Sequence, residues 1–183
     1  MPRVSARSSS APARLTGLLL VLLLGAGCAH TPPVPGGRAW LAPLNLEVVG
    51  DHPWSPEDGV GQAVLVQFFA TWCFPCLQQQ PALAELQARY GAQGLRIVWV
   101  GMDLEGALVL EPFAREMAPS WPVLVVSPQL VAGETQYGRI RSLPTSVLLG
   151  RDGRPVDGWS GLASPDVIAP LVEKALAVDP RTR

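Results

Sequence analysis

The sequence is short of the groups that bind metals and nucleic acids. Its 183 residues hold two histidines, three cysteines and one lysine, Lys174, among fourteen basic residues. A zinc site wants about four ligands, and His30 and His52 lie in a Pro/Gly-rich stretch and a turn-rich stretch, so no metal is expected. Net charge is −1, which gives no electrostatic case for a nucleic-acid partner. The charges before residue 28 are all basic (Arg3, Arg7, Arg14), and the remainder is mildly acidic. That balance favours solubility and argues against a polyanionic partner. The length suits one domain, and an odd cysteine count calls for an explanation in an exported chain.

The N-terminus supplies one. Residues 1–27 have the three-part layout of a signal peptide: a basic, acid-free segment, the apolar run 15–24, and Gly25-Ala26-Gly27. The run is short for a membrane span, which takes about 20 residues. The small residues before Cys28 resemble the lipobox of bacterial lipoproteins. The resemblance implies a lipid anchor on Cys28 and, with Ala29 next, sorting to the outer membrane of a Gram-negative envelope. Residues 28–43, with Pro32-Pro33, Pro35-Gly36-Gly37, read as an extended tether. The folded domain is then expected over 44–179, with a disordered tail at 180–183.

The chemistry concentrates in Trp72-Cys73-Phe74-Pro75-Cys76. The apolar run 63–70 has the length and β-formers of a buried strand. After Pro75 the period changes, and Leu83, Leu86 and Tyr90 share a helical face. Cys73 therefore falls at a helix N-terminus, where free N–H groups and the helix dipole favour a thiolate. A thiolate is the attacking species in disulfide exchange, so Cys73 reads as nucleophile and Cys76, one turn on, as resolving cysteine.

Further along, 95–102 reads as a parallel strand reached by a right-handed crossover. A helix over 107–117, a strand within 121–126 and a polar segment at 127–142 follow. Residues 146–149 and 155–159 form a hairpin about Asp152-Gly153. Ser164, Pro165 and Asp166 open a final helix. Residues 44–49 alternate as an edge strand, and Pro81 is expected to kink the first long helix. The order is α/β with a mixed sheet flanked by helices.

The stretch from Phe68 to Cys76, then Pro81, Leu143-Pro144-Thr145, Asp152-Gly153 and Gly161 resemble the thioredoxin superfamily, nearest its exported TlpA/ResA-type thiol-disulfide oxidoreductases. The resemblance spans roughly residues 44–178. It implies a thioredoxin-like fold and a redox-active Cys73–Cys76 disulfide with no other cofactor. Pro144 would be a cis-proline facing the sulfurs, the Leu143 backbone would pair with substrate beside Thr145, and Trp72 would shield the nucleophile. Implied partners are cysteine-containing exported proteins or apocytochrome c, and an upstream thiol-disulfide electron donor. The implied location is the periplasmic side of a bacterial envelope.

Two departures stand out. Relatives often carry a buried acid or asparagine where this chain has Gln67, and often a glutamate where it has Gln79. Glutamine cannot titrate, so proton transfer from the resolving thiol is expected through water, or slowly. Glu85, Asp103 and Glu105 are the nearest acidic candidates. Phe74-Pro75 brings no charge, which points to a reductase or weak oxidant.

Rival readings fare worse. A purely structural disulfide over so short a loop restrains little chain entropy. Copper chaperones on related folds need a wider cysteine spacing and a later histidine, and a peroxiredoxin-type peroxidase needs a proline and threonine farther upstream. The serious alternative is an anchored thioredoxin-like delivery module whose redox chemistry is vestigial.

Overall fold

In a computed structural model, residues 38–181 are described. The signal-peptide and Cys28 expectations lie outside them. The elements follow in the order α1 (Arg38–Leu41), β1 (Val48–Val49), β2 (Ala63–Phe69), α2 (Phe74–Tyr90), β3 (Leu95–Gly101), α3 (Ala107–Met117), β4 (Val123–Val125), α4 (Pro128–Ala132), β5 (Thr145–Leu149), β6 (Pro155–Ser160) and α5 (Pro165–Ala177).

The six strands form one mixed sheet in the order β1-β4-β3-β2-β5-β6. β3 runs parallel to β2 and β4, as the crossover pattern requires, while β5 and β6 return antiparallel. All seven residues of central β2 are buried, which explains why all but Gln67 are apolar: a strand covered on both faces has no solvent side to show. The period-2 alternation sorts its side chains between two cores. Ala63, Leu65 and Phe69 join Leu83 and Leu86 of α2, Leu110 of α3 and Ile168 and Val172 of α5. Val64, Val66 and Phe68 join Leu41, Leu44 and Leu130 on the opposite face.

Four details differ from the sequence expectations. Over residues 38–43, assigned above to the tether, the chain is helical, and Leu41 is 2% exposed. Trp40 and Leu41 give this otherwise Pro/Gly-rich stretch an apolar anchor, and Tyr137 fastens it by donating a 2.7 Å hydrogen bond to the Trp40 carbonyl. The expected edge strand 44–49 contracts to β1, because Ala42–Leu44 tighten into a 3-10 turn. The polar segment 127–142 contains α4, whose start is capped by the Ser127 hydroxyl accepting from Leu130 N–H at 3.3 Å. Helix α2 continues through Pro81, and α3 and α5 likewise continue through Pro112 and Pro170.

Candidate active site

The strand β2 ends at Phe69, and the chain turns through Ala70–Trp72 before α2 begins. Cys73 is the N-cap of that helix. Its Sγ accepts the Cys76 backbone N–H at 3.3 Å, so the sulfur occupies the place an N-cap oxygen would take. Cys73 and Cys76 form a disulfide with an S–S length of 2.02 Å. Both cysteines are buried, Cys76 completely and Cys73 at 4% exposure, while the flanking Trp72 and Phe74 stand 75% and 67% exposed. The disulfide therefore lies beside two exposed aromatic side chains, and Cys73 is the less completely buried of the two cysteines.

The turn carrying Trp72 is fixed from behind. Asp103, 3% exposed just past β3, accepts from Thr71 N–H at 3.2 and 3.0 Å and from Thr71 Oγ1 at 2.6 Å. A carboxylate that accepts two donors from one residue holds that residue's position tightly. Asp103 is one of the three acidic candidates for proton transfer. Its oxygens are instead engaged by Thr71, while Glu85 and Glu105 are exposed.

The two glutamines have different surroundings. Gln79 Nε2 donates to the Ala163 carbonyl at 2.7 Å, and its Oε1 accepts from Ala163 N–H at 2.9 Å. It clamps α2 to the loop that leads into α5. Gln67 is fully buried in β2, between Trp99 of β3 and Ser146 of β5, and neither of its amide atoms has a partner among the described residues.

The second half of the expected site stands at the same end of the sheet. Thr145 pairs with Phe68 in the β2–β5 register, so Pro144 falls level with Phe69, from which the cysteine turn departs. The Leu143–Pro144 peptide is cis. Pro144 is buried, and its carbonyl accepts from Gly161 N–H at 2.8 Å. Thr145 Oγ1 donates to the Ser142 carbonyl at 2.8 Å and lies 3.0 Å from Ser160 Oγ. Thr145 thus braces the turn through its hydroxyl, which stays exposed. Trp72 and half-buried Leu143 line one open cavity of about 300 Å3 together with Met102, Ile140, Arg141 and Ser142. Ile140, Arg141 and Met102 were not singled out from the sequence. The signal available was their position, immediately before Leu143-Pro144 and after β3.

Among the described residues no three His, Cys, Asp or Glu side chains gather as a metal site. His52 is exposed in the loop after β1.

A mixed sheet with a Cys-x-x-Cys disulfide capping the helix after its central strand, and a cis-proline on the adjacent strand, defines a thioredoxin-like α/β protein. The AhpC/TSA family model matches residues 43–154, and the chain belongs to that family. Two relatives are thiol-disulfide oxidoreductases ResA. The one from Bacillus thuringiensis is 32% identical over 101 residues, covering 55% of this chain and 56% of its own. The one from Bacillus subtilis is 25% identical over 159 residues, covering 84% and 87%. The chain thus spans little more than half the length of the first of these. Among solved structures, a candidate thiol:disulfide interchange protein DsbE from Chlorobium tepidum is 25% identical with a TM-score of 0.59, covering 72% of this chain and 99% of that one.

Proposed function

We propose that the protein is an extracytoplasmic thiol-disulfide oxidoreductase that reduces or exchanges disulfides of exported proteins. The observation that carries this reading is the Cys73–Cys76 disulfide at the N-terminus of α2, with Cys73 as the less completely buried cysteine. The relatives named ResA support it.

In the reduced protein the helix N-terminus and the Cys76 N–H favour a thiolate on Cys73. That thiolate attacks one sulfur of a substrate disulfide. A new S–S bond joins Cys73 to the substrate, the substrate's own S–S bond breaks, and one substrate thiolate leaves and takes up a proton. Cys76 then loses its proton and attacks the Cys73 sulfur. The internal disulfide forms, the mixed disulfide breaks, and the second substrate thiolate departs. Two electrons have moved to the substrate, and an upstream thiol-disulfide donor must return them. Gln67 and Gln79 cannot take the Cys76 proton, and Asp103 is held by Thr71, so the acceptor is water or the departing thiolate. Exported cysteine-containing proteins, apocytochrome c among them, are the proposed substrates. The leader-like residues 1–27 and the lipobox-like approach to Cys28 support a lipid-anchored, periplasm-facing location.

The test is reduction of insulin disulfides followed by turbidity, with dithiothreitol as recharging reductant. The wild-type protein is expected to precipitate the insulin B chain well ahead of a Cys73→Ser variant. Equal rates for the two, across several reductants, would leave an anchored binding or delivery module as the better account.

A further inference from the structure

The cavity at Trp72, the residue before Cys73, has mostly apolar walls and a charge of one sign. Trp72, Met102, Ile140 and Leu143 make it apolar, Ser142 adds a hydroxyl, and Arg141 is its sole ionisable lining residue. Arg141 is exposed and makes no hydrogen bond, ion pair or ring contact with any described residue. Asp103 is engaged by Thr71, and the cysteine motif carries only Phe74-Pro75 between its sulfurs.

From the place of Arg141 in that lining we infer that the cavity is a specificity subsite: it accepts a substrate segment with a carboxylate side chain beside the reacting cysteine. This rests on the exchange reaction proposed above. A segment reaching Cys73 passes between Trp72 and Leu143. Its apolar atoms meet the cavity walls, and an aspartate or glutamate near the cysteine comes within reach of Arg141. An arginine fork suits a carboxylate because it offers parallel N–H donors. A lysine at the same place on the substrate would meet a like charge. Because the pair is exposed, its effect is modest and falls with salt.

The test uses the Cys76→Ser protein and three peptides that differ at the residue after a single cysteine: Glu, Gln or Lys. Each cysteine is activated as a mixed disulfide with 2-thiopyridine, a leaving group without a carboxylate. Attack by Cys73 joins it to the peptide sulfur and releases 2-thiopyridone, whose absorbance gives the rate. At low salt the glutamate peptide is expected to react about two- to fivefold faster than the glutamine peptide, and the lysine peptide slower than both. Arg141→Ala is expected to bring the three rates together, and Arg141→Glu to reverse their order. Equal rates for all three peptides with the native Arg141 would overturn the subsite and leave the exchange reaction standing. Rates no higher than a Cys73→Ser, Cys76→Ser blank with every peptide would instead overturn the exchange reaction itself.

Discussion

Gln79 and Gln67 lie on either side of the redox helix junction, at positions where the resemblance implies often a glutamate and often an acid or asparagine respectively, and they have opposite circumstances. Gln79 has both ends of its amide hydrogen-bonded, to one residue 84 positions away. Gln67 is completely buried with neither amide atom partnered among the described residues. A glutamine amide therefore does two different things at the two positions. At Gln79 it exchanges a titratable group for a clamp, since a carboxylate could accept from Ala163 N–H but could not donate to its carbonyl. At Gln67 it leaves a neutral polar group in an apolar core, which costs less than a buried charge would but more than a hydrocarbon. The site gains rigidity from its glutamines on one side only.

The contrast between closed and open polar groups can be broken by substitution. The largest effect is expected at the clamp. Gln79→Leu deletes two hydrogen bonds and unpairs both Ala163 backbone groups, so chemical denaturation should show a loss of about 3 kcal/mol. Asp103→Asn comes next. Asparagine offers Thr71 a single neutral acceptor in place of two carboxylate oxygens, and a loss of about 2 kcal/mol is expected, with slower insulin reduction as the Trp72 turn loosens. At the open position the sign reverses. Gln67→Met keeps the volume and removes the unpaired amide, and should raise stability by about 1 kcal/mol. A loss of stability there would show that the Gln67 amide is engaged after all and erase the contrast. The smallest effect is expected at Ser164, which occupies the N-cap of α5 but makes no side-chain cap hydrogen bond. Ser164→Ala should move stability by less than about 0.5 kcal/mol, below the usual cost of losing a cap.

The same residues show what a sequence can and cannot reveal. The strand–helix switch at Cys73 was legible because it is local: an apolar run, a proline at the first helical turn and a change of period. The hairpin at Asp152-Gly153 was legible for the same reason. Helix α4 was missed although Ser127-Pro128 carries the same start signal as Ser164-Pro165, because it is only five residues long and lacks an apolar stripe. Of the two serines, Ser127 makes the cap bond. The roles of Gln79 and Asp103 depend on partners 84 and 32 residues away, which no spacing rule contains. The Arg141 cavity draws its walls from three separate segments, so its lining appears only once the sheet brings Trp72, Met102 and Leu143 to one end. The interior prolines do not end their helices: α2, α3 and α5 run on through Pro81, Pro112 and Pro170.

The central claim is that Cys73 attacks and Cys76 resolves. It is tested most directly by trapping mixed disulfides on the two single-cysteine variants of the pair. Each is incubated with one activated cysteine peptide, and the adduct is read by mass spectrometry over time. The account predicts rapid peptide attachment to Cys73 in the Cys76→Ser protein and little or none on Cys76, the fully buried sulfur, in the Cys73→Ser protein. Attachment to Cys76 as fast as to Cys73 would contradict it.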